Sequence, residues 1–260
     1  MGSLDDATSD NTAQETTLAT IRSVSGDWDN STVRSEMHTA SGDWDNSNVS
    51  TVPNVSAFTS SGTFIAPAAC SRVEAHIWGA GGSGGKGSSH ASSDHMGAGG
   101  GGGYCLALVP LSAAGAHIHV TIGAGGGSQG SGGYSGVAGS ASSISLGTQT
   151  DNFSATGGGA GTTTGSSSTE AGGDGGIGKG GILNLEGGSG GVCNYNAQPG
   201  SGQATAKPGA APFIGVAPQK REPNTEPVNT GCGGTAGLAD SGSNPQSSGS
   251  GGDGLVLFKW

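Results

Sequence analysis

His117 and His119, separated by one residue, are the best candidates in this sequence for metal chemistry. At i and i+2 of a strand two side chains leave the same face, and paired imidazoles are a partial ligand set for a transition metal. The bland reading is the exposed polar face of a strand. His90, Asp94 and His95 form a looser group in a polar stretch. Other candidates suit binding. Asn194-Tyr195-Asn196, Phe213-Ile214 and Gln219-Lys220-Arg221-Glu222 interrupt a background dominated by glycine. Tyr195 and Phe213 offer planar surfaces to sugar rings or apolar receptor loops. Lys220 and Arg221 can pair with phosphate or carboxylate. Taken singly, each also reads as an ordinary solvated loop residue.

Several catalytic motifs are coincidences of composition. Gly79-x-Gly81-x-x-Gly84 follows a strand as a dinucleotide fingerprint would, but Lys86 to Gly103 cannot form the helix that must come next. Gly-x-Ser-x-Gly at Ser83 and Ser189 lacks strand-turn-helix flanks. Gly85-Lys86-Gly87 lacks the Ser or Thr of a phosphate loop. No carboxylate pair is recognisable at hydrolase spacing. No enzyme activity and no cofactor are expected.

The elements that position the candidates must be built from an unusual chain. It has 260 residues, 56 of them glycine, with 5% aromatic and 11% charged residues. Leu, Ile, Val and Phe come to about 15%, low for a domain with a conventional apolar core, and so much glycine excludes long helices. Disordered chains of this composition are usually highly charged, whereas the net charge here is only −10. With no basic cluster longer than Lys220-Arg221, a nucleic-acid partner is not expected. Nor is membrane insertion, because no stretch nears the roughly 18 apolar residues of a span. The polar, acidic first ten residues do not read as a secretory signal. Cys70, Cys105, Cys193 and Cys232 are too scattered for a zinc site. Cys193 and Cys232 lie in loop-like sequence, where a disulfide is conceivable in oxidising surroundings.

Two regions are expected. In residues 1–57, Ser25-Gly26-Asp27-Trp28-Asp29-Asn30-Ser31 recurs as Ser41-Gly42-Asp43-Trp44-Asp45-Asn46-Ser47. Val33, Met37, Ala40 and Trp44 follow the spacing of one helix stripe, and each Ser-Gly-Asp can cap the next short helix. Such helices are marginal alone, so a bundle of two or three chains sharing Trp28 and Trp44 is expected. Residues 58–260 hold the strands. Period-two alternation marks 72–78, 104–109, 116–122, 142–146, 152–155 and 255–260, with 62–67 leading in, and predicts an antiparallel β-sandwich. Fifty-two of the glycines fall within 79–254. They cluster at 79–87, 97–103, 123–136, 157–165, 172–191 and 231–254. Glycine is entropically costly to order, and polyproline-II helices supply a geometric reason for it. With three residues per turn and bare peptide groups, such helices can bond to one another when no side chain intervenes. The fold class is therefore mainly β, a sandwich with stacked polyproline-II-like segments, preceded by a short helical segment.

At this level the chain resembles a known family. Phe58-Thr59-Ser60-Ser61-Gly62-Thr63-Phe64-Ile65-Ala66-Pro67, then Val73 to Trp78 running into Gly79-Ala80-Gly81-Gly82, are similar to the entry of the glycine-rich domain of phage tail fibres. Gly99 to Tyr104, Val120 to Gly126, Ser154 to Gly158 and Gly252 to Phe258 follow in the same order. The Trp-centred repeat resembles fibre shaft segments. The resemblance implies a distal, homotrimeric fibre domain on the virion tail. Its polyglycine-II helices would stack beneath recognition loops that meet a host polysaccharide or outer-membrane protein, while residues 1–57 join other tail or baseplate proteins. In such a trimer the His117 and His119 pairs could surround an axial metal. Residues 1–57 depart from the fibre-docking domain of detachable tip adhesins, which points to a self-trimerising fibre. The alternative is a purely structural tail or baseplate component packed against other virion proteins. An ice-binding bundle would need flat, strictly periodic Thr or Ala, which Thr162-Thr163-Thr164 does not provide.

Overall fold

A computed structural model describes residues 54–68, 70–86, 95–111, 115–130, 135–147, 153–164, 171–194, 206–214, 230–237 and 247–260. The chain divides into two compact units, Met1–Pro53 and Asn54–Trp260. The expected N-terminal helices lie outside the described residues.

The second unit is mainly β. Its strands are β1 (Val55–Phe58), β2 (Gly62–Ile65), β3 (Arg72–Trp78), β4 (His95–Gly97), β5 (Tyr104–Pro110), β6 (His117–Thr121) and β7 (Ser142–Leu146). They continue as β8 (Phe153–Ala155), β9 (Thr163–Thr164), β10 (Gly178–Lys179), β11 (Leu183–Leu185), β12 (Val192–Asn194) and β13 (Leu255–Lys259). Two 5-stranded antiparallel sheets form the sandwich, in the orders β1-β13-β3-β5-β11 and β10-β8-β7-β6-β2. A 3-stranded sheet, β12-β4-β9, stands apart.

Alternation decides what each strand buries. Val73, Ala75 and Ile77 of β3, Cys105, Ala107 and Val109 of β5, and Val256 and Phe258 of β13 point inward from the first sheet. Phe64, Ile118, Val120, Ile144 and Ala155 meet them from the second. Phe64 and Phe258 stack with centroids 4.4 Å apart, and Phe58 meets Phe258 edge-on at 5.8 Å. The two sheets thus close on one small apolar core, which is how a chain so poor in large aliphatic residues can still fold.

Beyond the sandwich the strands run directly into glycine tracts, whose described residues bury only small apolar clusters. Tract 79–85 continues β3, and its amide bonds repeat every third residue. The N–H groups of Gly79, Gly82 and Gly85 donate to the carbonyls of Gly103, Gly100 and Gly97. Those of Ala80 and Ser83 donate to Ser140 and Val137, and those of Gly81 and Gly84 to Gly252 and Gly249. A threefold helix aims successive peptides in three directions, so one tract bonds to neighbours all round. Around 79–85 stand 97–103, 156–162, 136–140, 123–127, 248–254 and 231–237, each also bonded to the next in the ring. Around 97–103 stand 79–85, 156–162, 171–176, 187–191, 207–210 and 231–237, closed in the same way. The result is a hexagonal stack with two fully enclosed tracts at its centre.

Room is what the tracts need. A Cβ at Gly82 would fall well inside contact distance of the Gly159 carbonyl, and one at Gly100 would meet Asp174 likewise. Among the described glycines of the stack only Gly231, with φ 69°, and Gly180, with φ 82° in the turn between β10 and β11, have a positive φ, so the rest are not chosen for a left-handed backbone. In their described residues the tracts expected from sequence are present, while Gly87, 131–134, Gly165 and 238–246 lie outside those residues. Residues 172–191 become two antiparallel tracts joined through β10 and β11, and 207–210, with only one glycine, is an additional member.

Candidate binding surface

The stack sorts the chain's loops to its two ends. Tracts 79–85, 123–127, 156–162 and 187–191 lead away from the sandwich, while 97–103, 136–140, 171–176 and 248–254 lead back to it. At the far end the chain consequently leaves the described residues at Lys86, Gly130, Thr164, Asn194 and Gly237, and beside the sandwich it leaves them at Leu111, Gly147 and Ile214. It returns to the far end at His95, Ser135, Ala171, Ala206 and Ser247. The small sheet of β4, β9 and β12 closes this end, pairing Asn194 with His95 and Cys193 with Met96. Met96 is fully buried, with Ala98 and Ala206 against it.

Asn194 thus ends a strand at the far end of the stack; Tyr195 and Asn196, the next two residues, lie outside the described residues, as do His90, Asp94, Lys220 and Arg221. Phe213 lies at the opposite end, beside the sandwich, about 20 Å away along the stack at the ~3.1 Å rise of these helices. The described members of the expected binding set therefore belong to two separate surfaces. The same register separates Cys193, beside Met96, from Cys232, whose neighbour Gly231 accepts the Gly102 N–H. That is about 15 Å of stack, beyond the roughly 7 Å Cα separation a disulfide tolerates.

His117 and His119 are exposed on the outer face of β6, as the alternation requires. Their cross-strand partners on β2 are Ile65 and Thr63, and His119 Nδ1 lies 3.5 Å from Thr63 Oγ1. Among the described residues of one chain no group of three or more His, Cys, Asp or Glu side chains assembles. Gly79, Gly81 and Gly84, which mimic a dinucleotide fingerprint, are buried in the innermost tract. Lys86 ends that tract, buried, with Nζ donating to the Gly130 carbonyl at 2.9 Å.

The richest cluster of described side chains lies on the outer face of the first sheet, where Glu74, His76 and Trp78 alternate outward along β3. Register sets Trp78 opposite Tyr104 and Leu255, and His76 opposite Leu106 and Leu257. Tyr104 O–H and His76 Nδ1 are 2.8 Å apart, and His76 Nε2 is 2.6 Å from Glu74 Oε1. Lys259 Nζ reaches the same Oε1 at 3.4 Å. Since the carboxylate can only accept, Nε2 carries a proton, and a neutral His76 then accepts from Tyr104 at Nδ1. Partial burial pushes the Glu74 carboxyl up, but the His76 hydrogen bond and the Lys259 charge outweigh it and leave it below its ordinary value. Burial, then the charge of Glu74, raise the Tyr104 phenol. Burial likewise pushes the Cys105 thiol up.

The segment 211–214 covers the top of this face. Trp78 Nε1 donates to the Pro212 carbonyl at 2.8 Å, and Ala211 and Ile214 pack on Trp78, Tyr104 and their neighbours. Phe213 meets Tyr104 edge-on at 5.0 Å yet is 74% exposed. Its φ of 65° makes it the one non-glycine residue among those described in the left-handed region. Sequence reasoning selected Phe213 but missed Glu74, His76, Trp78 and Tyr104. The i, i+2, i+4 spacing of the first three was a readable signal, whereas Tyr104 joins them only through strand pairing.

No curated protein is significantly similar to the chain in sequence. A family model described as a glycine-rich domain matches residues 58–260, a span that takes in nearly all of the sandwich and the whole stack. The chain belongs to this glycine-rich domain family.

Proposed function

We propose that the chain is a homotrimeric phage tail fibre protein that attaches the virion to a host cell surface by binding, without catalysis. The observation that carries this reading is that the chain leaves and re-enters the far end of a backbone-bonded stack five times, at points the lattice fixes. Tracts bonded on all sides hold these entry and exit points in place. That is the support a recognition surface needs. Residues 1–57 serve as shaft and attachment to other tail or baseplate proteins, and the partner is a host polysaccharide or outer-membrane protein. Many copies on one particle convert weak contacts into firm attachment. A competition assay tests it: purified protein is expected to reduce adsorption of the parent particle in a dose-dependent way, and adsorption unaffected at saturating protein refutes it.

The second reading is a structural tail component packed against other virion proteins. Ile182, just before the edge strand β11, and Leu183, its first residue, are 66% and 39% exposed and favour it. A purified protein that binds tail particles lacking it, but not host cells, would select this reading.

A further inference from the structure

The outer face of the first sheet holds polar and aromatic groups that the far-end loops do not explain. Phe213 is its most prominent feature. A bulky residue with positive φ is an outlier that surrounding structure must enforce, and such strain concentrates where a side chain is held for a purpose. Here the Trp78–Pro212 hydrogen bond fixes the backbone just before it, and Tyr104 braces the ring from one edge. The bracing chain continues through His76 to Glu74 and Lys259. An exposed ring held so firmly is pre-organised to stack, at little entropic cost on binding.

The polar end of the face complements the ring. Glu74 and Lys259 keep 38% and 42% of their side chains exposed. Both bonds to the Glu74 carboxylate fall on Oε1, and Oε2 takes neither. A carboxylate and an ammonium side by side accept from and donate to hydroxyls, and their charges offset. Half-buried Leu106 and Leu257 lie between the two ends. An apolar platform with a few fixed polar groups is how a protein surface engages a pyranose, whose C–H face is apolar and whose rim is hydroxylated. We infer that Phe213, Glu74 and Lys259 form a binding site for a neutral oligosaccharide longer than one ring, its C–H face on Phe213 and its hydroxyls on Glu74 and Lys259. Neutrality follows from the offset charges at the site and from the chain's net charge of −10, which opposes polyanions.

The site lies on the sandwich, apart from the far-end crossings; it rests on the proposed attachment reading for its biological meaning, but its chemistry is tested apart from it. The full chain is titrated with maltotriose, cellotriose and mannotriose, with sialyllactose as the anionic comparison, and binding is followed by saturation-transfer NMR. Saturable binding of at least one neutral trisaccharide, stronger than sialyllactose, is expected. Phe213→Ala and Glu74→Gln should each weaken it at least tenfold, whereas Lys179→Ser on the other sheet should not. Melting temperatures of all variants are measured alongside, and Phe213→Leu, which keeps apolar bulk without a ring, checks that stacking is responsible. No saturable binding to any neutral trisaccharide, or full binding by Phe213→Ala, overturns the inference. So does a preference for an apolar peptide over every sugar. Saccharide binding without inhibition of adsorption leaves the site standing and removes the attachment role. Inhibition of adsorption without saccharide binding does the reverse.

Discussion

At the residue scale, two aromatic side chains on the same sheet have opposite jobs, and burial decides which. Phe258 is fully buried between Phe64 and Phe58. Its replacement by alanine is expected to cost about 3–5 kcal/mol, measurable by chemical denaturation. Phe213, exposed, should cost less than about 0.5 kcal/mol on the same change. Glu74 makes a pH-dependent contribution whose sign follows from its lowered carboxyl pKa. A carboxyl more acidic when folded stabilises the protein above its unfolded pKa, and that stability is lost as pH falls through the folded value. Glu74→Gln should therefore lower the melting temperature slightly at neutral pH and leave it unchanged once the pH is below the folded value. The partly exposed site keeps the effect small. A difference that grows on acidification would contradict the assignment.

At the element scale, the glycine tracts behave as a lattice whose tolerance can be read position by position. Gly82 and Gly100 sit in the enclosed tracts, where an added methyl collides with a neighbouring backbone. Gly82→Ala or Gly100→Ala is expected to destabilise by about 3 kcal/mol or more, because rigid neighbours bonded on all sides cannot move aside. Gly127 belongs to an outer tract, has no positive φ, and a Cβ there meets nothing within 4 Å. Gly127→Ala should be neutral or slightly stabilising, since alanine reduces the entropy of the unfolded chain. Thermal melts of the three variants check both halves of the claim. Equal effects at all three positions would mean that the tracts do not stack as described.

At the scale of the whole molecule, the compact unit from Asn54 to Trp260 should fold without residues 1–53. The cut belongs after Pro53, because β1 pairs with β13 along its full length. Light scattering on the full chain is expected to give a trimer, and on the truncated chain a smaller mass with the same β-type circular dichroism. An unchanged mass after truncation would remove the shaft role of the N-terminal region. If copies bring the His117 and His119 pairs together around a metal, a chelator should lower the melting temperature of the trimer. The double variant His117→Ala, His119→Ala should abolish that response. A melting temperature indifferent to chelator in the wild type would rule the axial metal out.

What the sequence determined by itself was local, and it was determined by periodicity and by what glycine lacks. Alternation located β3 and β7 to the residue and β5, β6, β8 and β13 within one or two, because each buries one face against a single small core. The density of glycine without compensating charge required a structure held by backbone groups, and threefold helices are the form that exposes them. Three-dimensional structure alone decided which tracts are neighbours. Each tract offers the same bare peptides, so the order around Gly82 and Gly100 follows from where the sandwich strands deliver the chain. Short strands such as β4, β10 and β12 could not be read, since two or three residues carry no period. The candidate surface divides the same way. An exposed aromatic that breaks the glycine pattern was legible at Phe213, but its tie to Tyr104, His76 and Glu74 was not. That tie depends on the register between β3 and β5, a long-range pairing that no local sequence signal encodes.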